Sequence, residues 1–377
     1  MKPSDNLLLV AASECDANML YAVGLFVPDP FIYLRLNGRP LIVMSDLEID
    51  RARARAPHCR VLSLSQRQER LKKRGIKSPG FAHIVHEVLR ERGQRSVCVP
   101  GNFPHGLAVE LEHLHVRVKV ARDGVFPERE LKTPDEVKKI SAALAMAEVG
   151  MAEAMQVLRR TKIGRNRQLL HHGSPLTSEK LRAVIDTAIT QAGGLAAHTI
   201  VAGGLQGCDP HESGHGQLRA NEPIILDIFP RSQKTGYFGD ITRTVVRGRA
   251  SQAAWRLYET VRRGQQLAFE RVRADTHGKK VHEAVQEFFE SEGFKTGKRN
   301  GRMQGFFHGT GHGLGLEIHE APRMSATTTA TLQAGHVVTV EPGLYYPGIG
   351  GVRLEDMALV QASGARNLTR FEKVLEI

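Results

Sequence analysis

The sequence predicts an α/β domain followed by an α+β domain. Residues 6 to about 125 alternate short apolar runs with helical patterns, which is typical of a central sheet covered by helices. A capping signature at Thr133 then begins a long amphipathic helix. Beyond residue 198, strands and glycine-rich loops predominate. The 377 residues are enough for two domains, which we place at residues 1–130 and 131–377.

The elements of the first domain follow from its apolar patterns. Predicted strands are residues 7–10, 31–36, 40–44, 60–64, 96–99 and 116–120. Predicted helices are residues 46–56, 81–92 and 107–113. This region does not cluster histidine, cysteine and carboxylate residues as a catalytic centre does, so we expect the chemistry in the second domain.

The second domain begins with clear helix signals. Thr133 is a predicted N-cap, Pro134 takes the first helical position, and Glu136 completes a capping box. The predicted helices are residues 134–160, 178–192, 251–273 and 279–293. Between and after them lie interrupted strands, so we expect helices around a broken sheet.

The most informative stretch is residues 224–244. It places Asp227 inside one apolar run and Asp240 at the start of another. Pro230 and Gly236 punctuate the polar residues between them, so the flanks are predicted to pair as an antiparallel hairpin. Two adjacent buried carboxylates repel each other, and the usual resolutions are a shared proton or a cation.

Further polar residues lie in apolar or glycine-rich surroundings: His312, His319, Glu341 and Glu355. A lone buried glutamate is usually a salt-bridge partner. Together with two aspartates and one imidazole, however, the two glutamates could hold two divalent ions about 3.5–4 Å apart that share a water or hydroxide. Because the set has no thiolate, it favours manganese, cobalt or zinc ions bound by oxygen and nitrogen atoms, and it argues against a structural zinc site. Hydrolysis is the expected chemistry.

The sequence around these residues resembles the pita-bread metallopeptidases, and among them prolidase and aminopeptidase P. The matching contexts are Leu-Asp-Ile at Asp227, Gly-Asp-Ile-Thr-Arg-Thr at Asp240, Gly-Thr-Gly-His-Gly-Leu-Gly at His312, Val-Glu-Pro-Gly at Glu341 and Arg-Leu-Glu-Asp at Glu355. Residues 16–24 and 45–52 resemble the creatinase-type N-terminal domain. The resemblance therefore implies an α/β N-terminal creatinase-type domain followed by an α+β pita-bread catalytic domain.

The resemblance also implies a metal-ligand set. Asp227 would bind one metal ion, Asp240 and Glu355 would bridge both ions, and His312 with Glu341 would complete the second. The implied cofactor is a pair of divalent ions, with Mn²⁺ first and Co²⁺ or Zn²⁺ as alternatives.

The remaining implied site residues do not bind metal. His211, His308 and His319 match histidines that would hydrogen-bond to the substrate carbonyl and the oxyanion. Glu341 is the expected proton shuttle. Arg353 would support a ligand or bind a substrate carboxylate, and Thr242 would orient Asp240.

The implied reaction is hydrolysis of the peptide bond preceding proline by a hydroxide that bridges the metals. The substrates would be Xaa-Pro dipeptides or peptides with an N-terminal Xaa-Pro, and the enzyme would be a homodimer. Two features depart from aminopeptidase P: a slightly longer loop between the two aspartates, and Gly-His-Gly where that enzyme has Ser-His-Trp. The second favours dipeptides.

Two other functions stay open from the sequence. One is a metal-dependent hydrolase or lyase that acts on a small non-peptide substrate on the same fold. The other is a non-enzymatic binding protein whose net charge of +12 contacts nucleic acid. The basic residues are spread through amphipathic helices without interleaved aromatics, which argues against nucleic acid.

Two short motifs resemble known functional patterns, but their surroundings argue against those functions. Residues 211–215 spell the His-Glu-x-x-His pattern of zinc proteases, but the glycines and proline around them argue against the helix that it needs. The glycines at alternate positions from 309 to 315 lack nucleotide-binding spacing.

The cysteine pattern and the apolar runs predict a cytoplasmic location. Four scattered cysteines without a Cys-x-x-Cys pair are typical of reduced thiols. The first apolar run is too short for a signal peptide, and none reaches membrane-spanning length.

Overall fold

The computed structural model describes residues 6–122 and 124–377, and the chain divides into two compact units, Met1–Arg129 and Glu130–Ile377. The strands described in the first unit are β1 (Leu7–Ala11), β2 (Phe31–Leu36), β3 (Arg39–Met44), β4 (Arg60–Ser63), β5 (Ser96–Val99) and β6 (Arg117–Val120). Its described helices are α1 (Ala17–Val23), α2 (Ile49–Arg55), α3 (Leu64–Lys73), α4 (Phe81–Glu91) and α5 (His105–His113).

These strands form one mixed sheet in the order β4-β3-β2-β1-β5-β6. Leu7 and Leu9 of β1 pack in one core with residues of α1 and α2, whereas Leu8 packs in another with residues of α4. Successive side chains of a strand point to opposite faces, so both faces of this sheet are covered. Because both faces are buried, the sequences of its strands are nearly continuous apolar runs.

Helix α3 was not predicted from the sequence. Its apolar periodicity is interrupted because Arg67 occupies a buried position, where it pairs with Glu87 and Glu91 at 3.2 and 2.5 Å. Helix α1 was also missed, because its seven residues are too few for a periodic signal. Helix α2 begins later than predicted, and Asp46, in the turn before it, accepts hydrogen bonds from the hydroxyls of Ser63 and Ser65.

The second unit contains longer helices and shorter strands. Its described helices are α6 (Pro134–Arg160), α7 (Ser178–Gln191), α8 (Gln252–Arg271) and α9 (Gly278–Ser291). Its described strands are β7 (Lys162–Ile163), β8 (Leu169–His171), β9 (Ser174–Pro175), β10 (Gly194–Leu195), β11 (Ile200–Gly203), β12 (Pro223–Ile228), β13 (Arg231–Ser232), β14 (Ile241–Val246), β15 (Gly297–Arg299), β16 (Arg302–Gln304), β17 (Gly311–Gly313), β18 (Glu320–Met324), β19 (Val337–Val340), β20 (Gly343–Tyr346), β21 (Gly350–Arg353), β22 (Asp356–Gln361) and β23 (Gly364–Asn367). The capping box at Thr133 is present as predicted.

Three sheets of this unit carry the site: β11-β12-β14, β18-β17-β19-β22-β23 and β20-β21. Helix α6 packs against β12 and β14, and α8 packs against β19, β20 and β21. The predicted hairpin is formed by β12 and β14, which are antiparallel with Asp227 opposite Thr242. Its connection is wider than a tight turn, because β13 within it pairs with β10.

Two general features complete the fold. Over the residues that the structure describes, no helix has the length and apolarity needed to cross a bilayer. Within the same residues, no disulfide joins the cysteines.

Candidate metal centre

A cavity of about 900 Å³ in the second unit brings the predicted site residues together. The predicted residues that line it are Asp227, Asp240, His312, Glu341, Glu355, His211, His308, His319 and Arg353. The predicted metal ligands lie on β12, directly before β14, on β17, directly after β19 and at the junction of β21 and β22, and the three other histidines lie in loops. Residues far apart in the chain therefore share one site.

Its most buried part is formed by Asp240, His312 and Glu355. One potential ligand atom from each lies within 4.8 Å of the others. The Nε2 atom of His312 is 3.8 Å from Oδ2 of Asp240 and 3.3 Å from Oε1 of Glu341. The Oδ1 atom of Asp240 is buried and has no hydrogen-bond partner among the described residues. Such an oxygen is costly unless something positive contacts it.

The orientation of His312 suits a metal ligand. Its Nδ1 lies 3.1 Å from the carbonyl oxygen of Gly313, which can only accept, so Nδ1 carries the hydrogen. The lone pair of Nε2 then faces the carboxylates. Burial, and to a smaller extent nearby His319, lowers the pKa of His312 to about 3. The ring is therefore neutral, which is the form that binds a metal.

The carboxylates are crowded with negative charge. Burial raises the pKa values of Asp240 and Glu355 well above their usual range, and the negative charge of Glu341 raises both further. Burial also raises the pKa of Glu341 to about 7. Asp227 adds a further negative charge near all three. The oxygen-rich donor set with one imidazole fits divalent cations, whose charge would stabilise the ionised carboxylates.

Asp227 has a positive partner within the chain. Nη2 of Arg353 donates to Oδ2 of Asp227 at 2.6 Å, and Nη1 donates to the hydroxyl of Tyr345 at 2.9 Å. Arg353 is buried, so its guanidinium is committed to these groups. Arg353 therefore fixes the position of the Asp227 carboxylate.

The predicted contact between Thr242 and Asp240 is wrong. The Thr242 hydroxyl donates to Oε2 of Glu355 at 2.8 Å. The reason is that the backbone at Glu355 lies alongside β14, where its amide donates to the carbonyl of Thr242 at 3.1 Å. The amide of Asp240 instead faces the sulfur of Met357 at 3.3 Å.

The three predicted non-ligand histidines differ in their freedom to bind a substrate. His308 Nδ1 lies 2.7 Å from the Gly309 carbonyl, so Nε2 accepts from the Tyr345 hydroxyl at 2.8 Å. Both of its nitrogens are thus occupied. The ring of His319 packs edge-on against His312, and neither it nor the ring of His211 makes a hydrogen bond within the described chain. Residues 211–215 form no helix, which excludes the zinc-protease pattern.

Two site residues were not predicted. The Tyr345 hydroxyl hydrogen-bonds to both Arg353 and His308. It was missed because its context, Gly-Leu-Tyr-Tyr, is typical of an ordinary strand. Arg323 also lines the cavity and makes no ion pair with the described residues. Its local sequence context carried no signal of this position.

Glycines flank His312 because neighbouring strands approach closely. A Cβ on Gly311 would lie 1.9 Å from the Thr339 carbonyl oxygen, and one on Gly313 would lie 2.2 Å from that of Ala321. The alternate glycines therefore permit β17 to pack between β18 and β19.

Replacing Gly311 with alanine is expected to destabilise the fold by about 1–3 kcal/mol, because the added methyl group overlaps the backbone of β19. Gly348→Ala is the matched control, since nothing lies within 4 Å of a Cβ there. Urea denaturation measures both. Equal midpoints for the two variants would contradict the packing described for β17.

Comparison with known proteins agrees with this site. The sequence matches metallopeptidase family M24 over residues 138–362. It is 28% identical over 288 residues to an Xaa-Pro dipeptidase of Pyrococcus horikoshii, covering 75% of each chain. It is 30% identical over 256 residues to the uncharacterized peptidase YqhT of Bacillus subtilis, covering 63% of this chain and 70% of that one.

Solved structures show the same fold over both domains. An X-Pro aminopeptidase from Thermotoga maritima superposes with a TM-score of 0.82 at 21% identity, covering 99% of this chain and 97% of the other. An Xaa-Pro dipeptidase from Bacillus anthracis gives 0.81 at 23% identity, covering 99% and 95%. The predicted fold class, a pita-bread domain preceded by an N-terminal domain, is confirmed. Because the family match spans more than half of the sequence, this chain belongs to metallopeptidase family M24, a family that uses divalent metal ions.

Proposed function

We propose that this protein hydrolyses the peptide bond preceding proline, in Xaa-Pro dipeptides or at the N-terminus of Xaa-Pro peptides. The observation that carries the proposal is the buried group of Asp240, His312 and Glu355 at the cavity. Relatives named as Xaa-Pro dipeptidases support the choice of substrate.

The proposed cofactor is a pair of divalent ions held by Asp227, Asp240, His312, Glu341 and Glu355. The unpartnered oxygen of Asp240 and the excess of carboxylates support this assignment. Mn²⁺ is the proposed ion and Co²⁺ or Zn²⁺ the alternatives, because carboxylate and imidazole ligands suit all three. When bound, such ions polarise the scissile carbonyl and make water nucleophilic near neutral pH.

The chain's own residues would orient the substrate and move protons. His319 and His211 have ring nitrogens available to hydrogen-bond to the substrate carbonyl as negative charge develops there. His308 would act mainly by holding Tyr345 against Arg353. Glu341 would carry the proton from the attacking water to the leaving nitrogen of proline.

Arg323 is the proposed contact for the C-terminal carboxylate of a dipeptide, since it lines the cavity and makes no ion pair with the residues that the structure describes. Arg323→Met is expected to raise KM for an Xaa-Pro dipeptide by roughly tenfold or more, because a charge-assisted hydrogen bond is lost. The KM for the matching Xaa-Pro amide, which lacks that carboxylate, should change little. Equal KM changes for the two substrates would contradict this role.

A substrate panel tests the proposed function. Purified protein with added Mn²⁺ is assayed on an Xaa-Pro dipeptide, an Xaa-Pro tripeptide, an Xaa-Ala dipeptide and a small non-peptide amide. We expect cleavage of the proline substrates and none of the other two. Cleavage of the small amide alone would instead support a non-peptide hydrolase on the same fold.

The homodimer and the cytoplasmic location stay predictions from the sequence. Light scattering of the purified protein tests the first, and cell fractionation tests the second.

A further inference from the structure

A buried ion cluster lies directly behind Glu355 and takes no part in the proposed reaction. It consists of Arg243 on β14, Asp356 at the start of β22, and Lys373. Arg243 is only 1% exposed although it carries a full charge. Such a residue needs every donor paired, since an unpaired buried charge is costly.

Arg243 meets that requirement completely. Its five N–H groups donate to the carbonyl of Glu372 at 2.9 Å, the carbonyls of Thr242 and Glu355 at 2.9 and 2.6 Å, the Asp356 carboxylate at 2.8 Å and the carbonyl of Phe371 at 2.7 Å. One guanidinium thus joins three segments: β14, the β21–β22 junction and the C-terminal segment 371–372.

Asp356 completes the cluster from the other side. Its Oδ1 accepts from Arg243, while its Oδ2 accepts from Asn367 at 2.9 Å and from Lys373. A buried ion pair of this kind is a poor source of net stability, because desolvation offsets the attraction between the charges. What it does supply is one defined arrangement of the backbone around it.

That arrangement fixes a metal-ligand residue. Nη1 of Arg243 contacts the carbonyls of both Thr242 and Glu355, and on the cavity side the Thr242 hydroxyl donates to the Glu355 carboxylate. Neighbouring residues of a strand point to opposite faces, so Thr242 points to the cavity and Arg243 away from it. The guanidinium therefore holds both ends of the Thr242–Glu355 contact from behind.

We propose that Arg243 and Asp356 are positioning residues that set where the Glu355 carboxylate points in the metal centre. The inference rests on the proposed function, because it takes Glu355 to be a metal ligand. Residues that orient metal ligands typically change metal affinity by roughly 10- to 100-fold when they are replaced.

The test compares Mn²⁺ binding to metal-stripped full-length variants by calorimetry, together with their thermal unfolding. Arg243→Lys removes the forked contacts but keeps the charge. Arg247→Lys is the matched control, because Arg247 follows the same strand and binds the carbonyls of Thr161 and Ile377, away from Glu355. Both variants should unfold at lower temperature. Only Arg243→Lys should lose Mn²⁺ affinity, by roughly 10- to 100-fold.

An equal loss of Mn²⁺ affinity in the two variants would overturn the inference, since it would reduce Arg243 to a general stabilising role. If Arg243→Lys does not fold, Asp356→Asn decides in its place, because asparagine keeps the shape but loses the charge that faces Arg243 and Lys373. Unchanged Mn²⁺ affinity in that variant would likewise overturn the inference, while the proposed function would still stand. Wild-type protein that binds no Mn²⁺ would refute the proposed function, and the inference with it.

Discussion

Replacing Asp240 with alanine is expected to abolish Xaa-Pro hydrolysis. Asp240 belongs to the buried group with His312 and Glu355, and its Oδ2 lies 3.8 Å from Nε2 of His312. The loss should be at least as large as the roughly 100- to 1,000-fold that one missing electrostatic group costs in an active site. Steady-state assays with a saturating supply of Mn²⁺ measure it.

The same substitution should leave the metal-free fold intact or more stable. Alanine removes a carboxylate that is 4% exposed and has an unpartnered oxygen, so a desolvation cost disappears. Asp50→Ala is the control, because that carboxylate is fully exposed in the first unit. An Asp240→Ala protein that retains wild-type activity, or that fails to fold without metal, would contradict the assignment.

Relative to a Glu341→Gln variant, the metal-free protein is expected to lose stability as the pH rises from about 4.5 to about 7. Burial raises the folded-state pKa of Glu341 from 4.5 to about 7 and those of Asp240 and Glu355 in the same direction. In that range these carboxyls lose their protons first in the unfolded chain, so they bind more protons in the folded state and their contribution to stability falls as the pH rises. Each unit of difference in pKa is worth about 1.4 kcal/mol.

Divalent metal should reverse this trend, because it binds the ionised carboxylates of the folded state. At a metal concentration one hundred times the Kd, binding adds about 2.7 kcal/mol of stability. Urea unfolding of metal-free and Mn²⁺-loaded protein at pH 5 and pH 7 measures both effects. Measuring wild type and Glu341→Gln side by side removes the opposing contribution of buried histidines such as His312, whose pKa is lowered. A stability difference between the two proteins that does not change with pH would show that Glu341 is not buried as described.

Local sequence patterns predicted the strands and helices that bury one or both of their faces in an apolar core. The apolar runs of β1 and β2 and the capping box at Thr133 are visible within a few residues. Helix α3 was not visible, because its core position is filled by Arg67 and the glutamates that pair with it lie on α4. Local periodicity carries no information on such a partner.

The same limit applies at the site. The hairpin aspartates and the glycine-flanked His312 could be identified from the sequence, because they are polar residues within apolar or glycine-rich runs. The salt bridge of Arg353 with Asp227 joins residues 126 positions apart. The Thr242 hydroxyl was assigned to the wrong carboxylate for the same reason, since only the paired backbone shows that Glu355 lies beside it. Residue types could be predicted from the sequence, whereas their pairing required the fold.

The most direct test of metal-dependent cleavage before proline is a titration of metal-stripped protein with Mn²⁺ while hydrolysis of an Xaa-Pro dipeptide is followed. We expect no hydrolysis without metal, activity that rises with occupancy and saturates at two ions per chain, and no cleavage of the matched Xaa-Ala dipeptide. Full activity in the presence of excess chelator, or Mn²⁺ binding without any hydrolysis of the proline substrate, would contradict it.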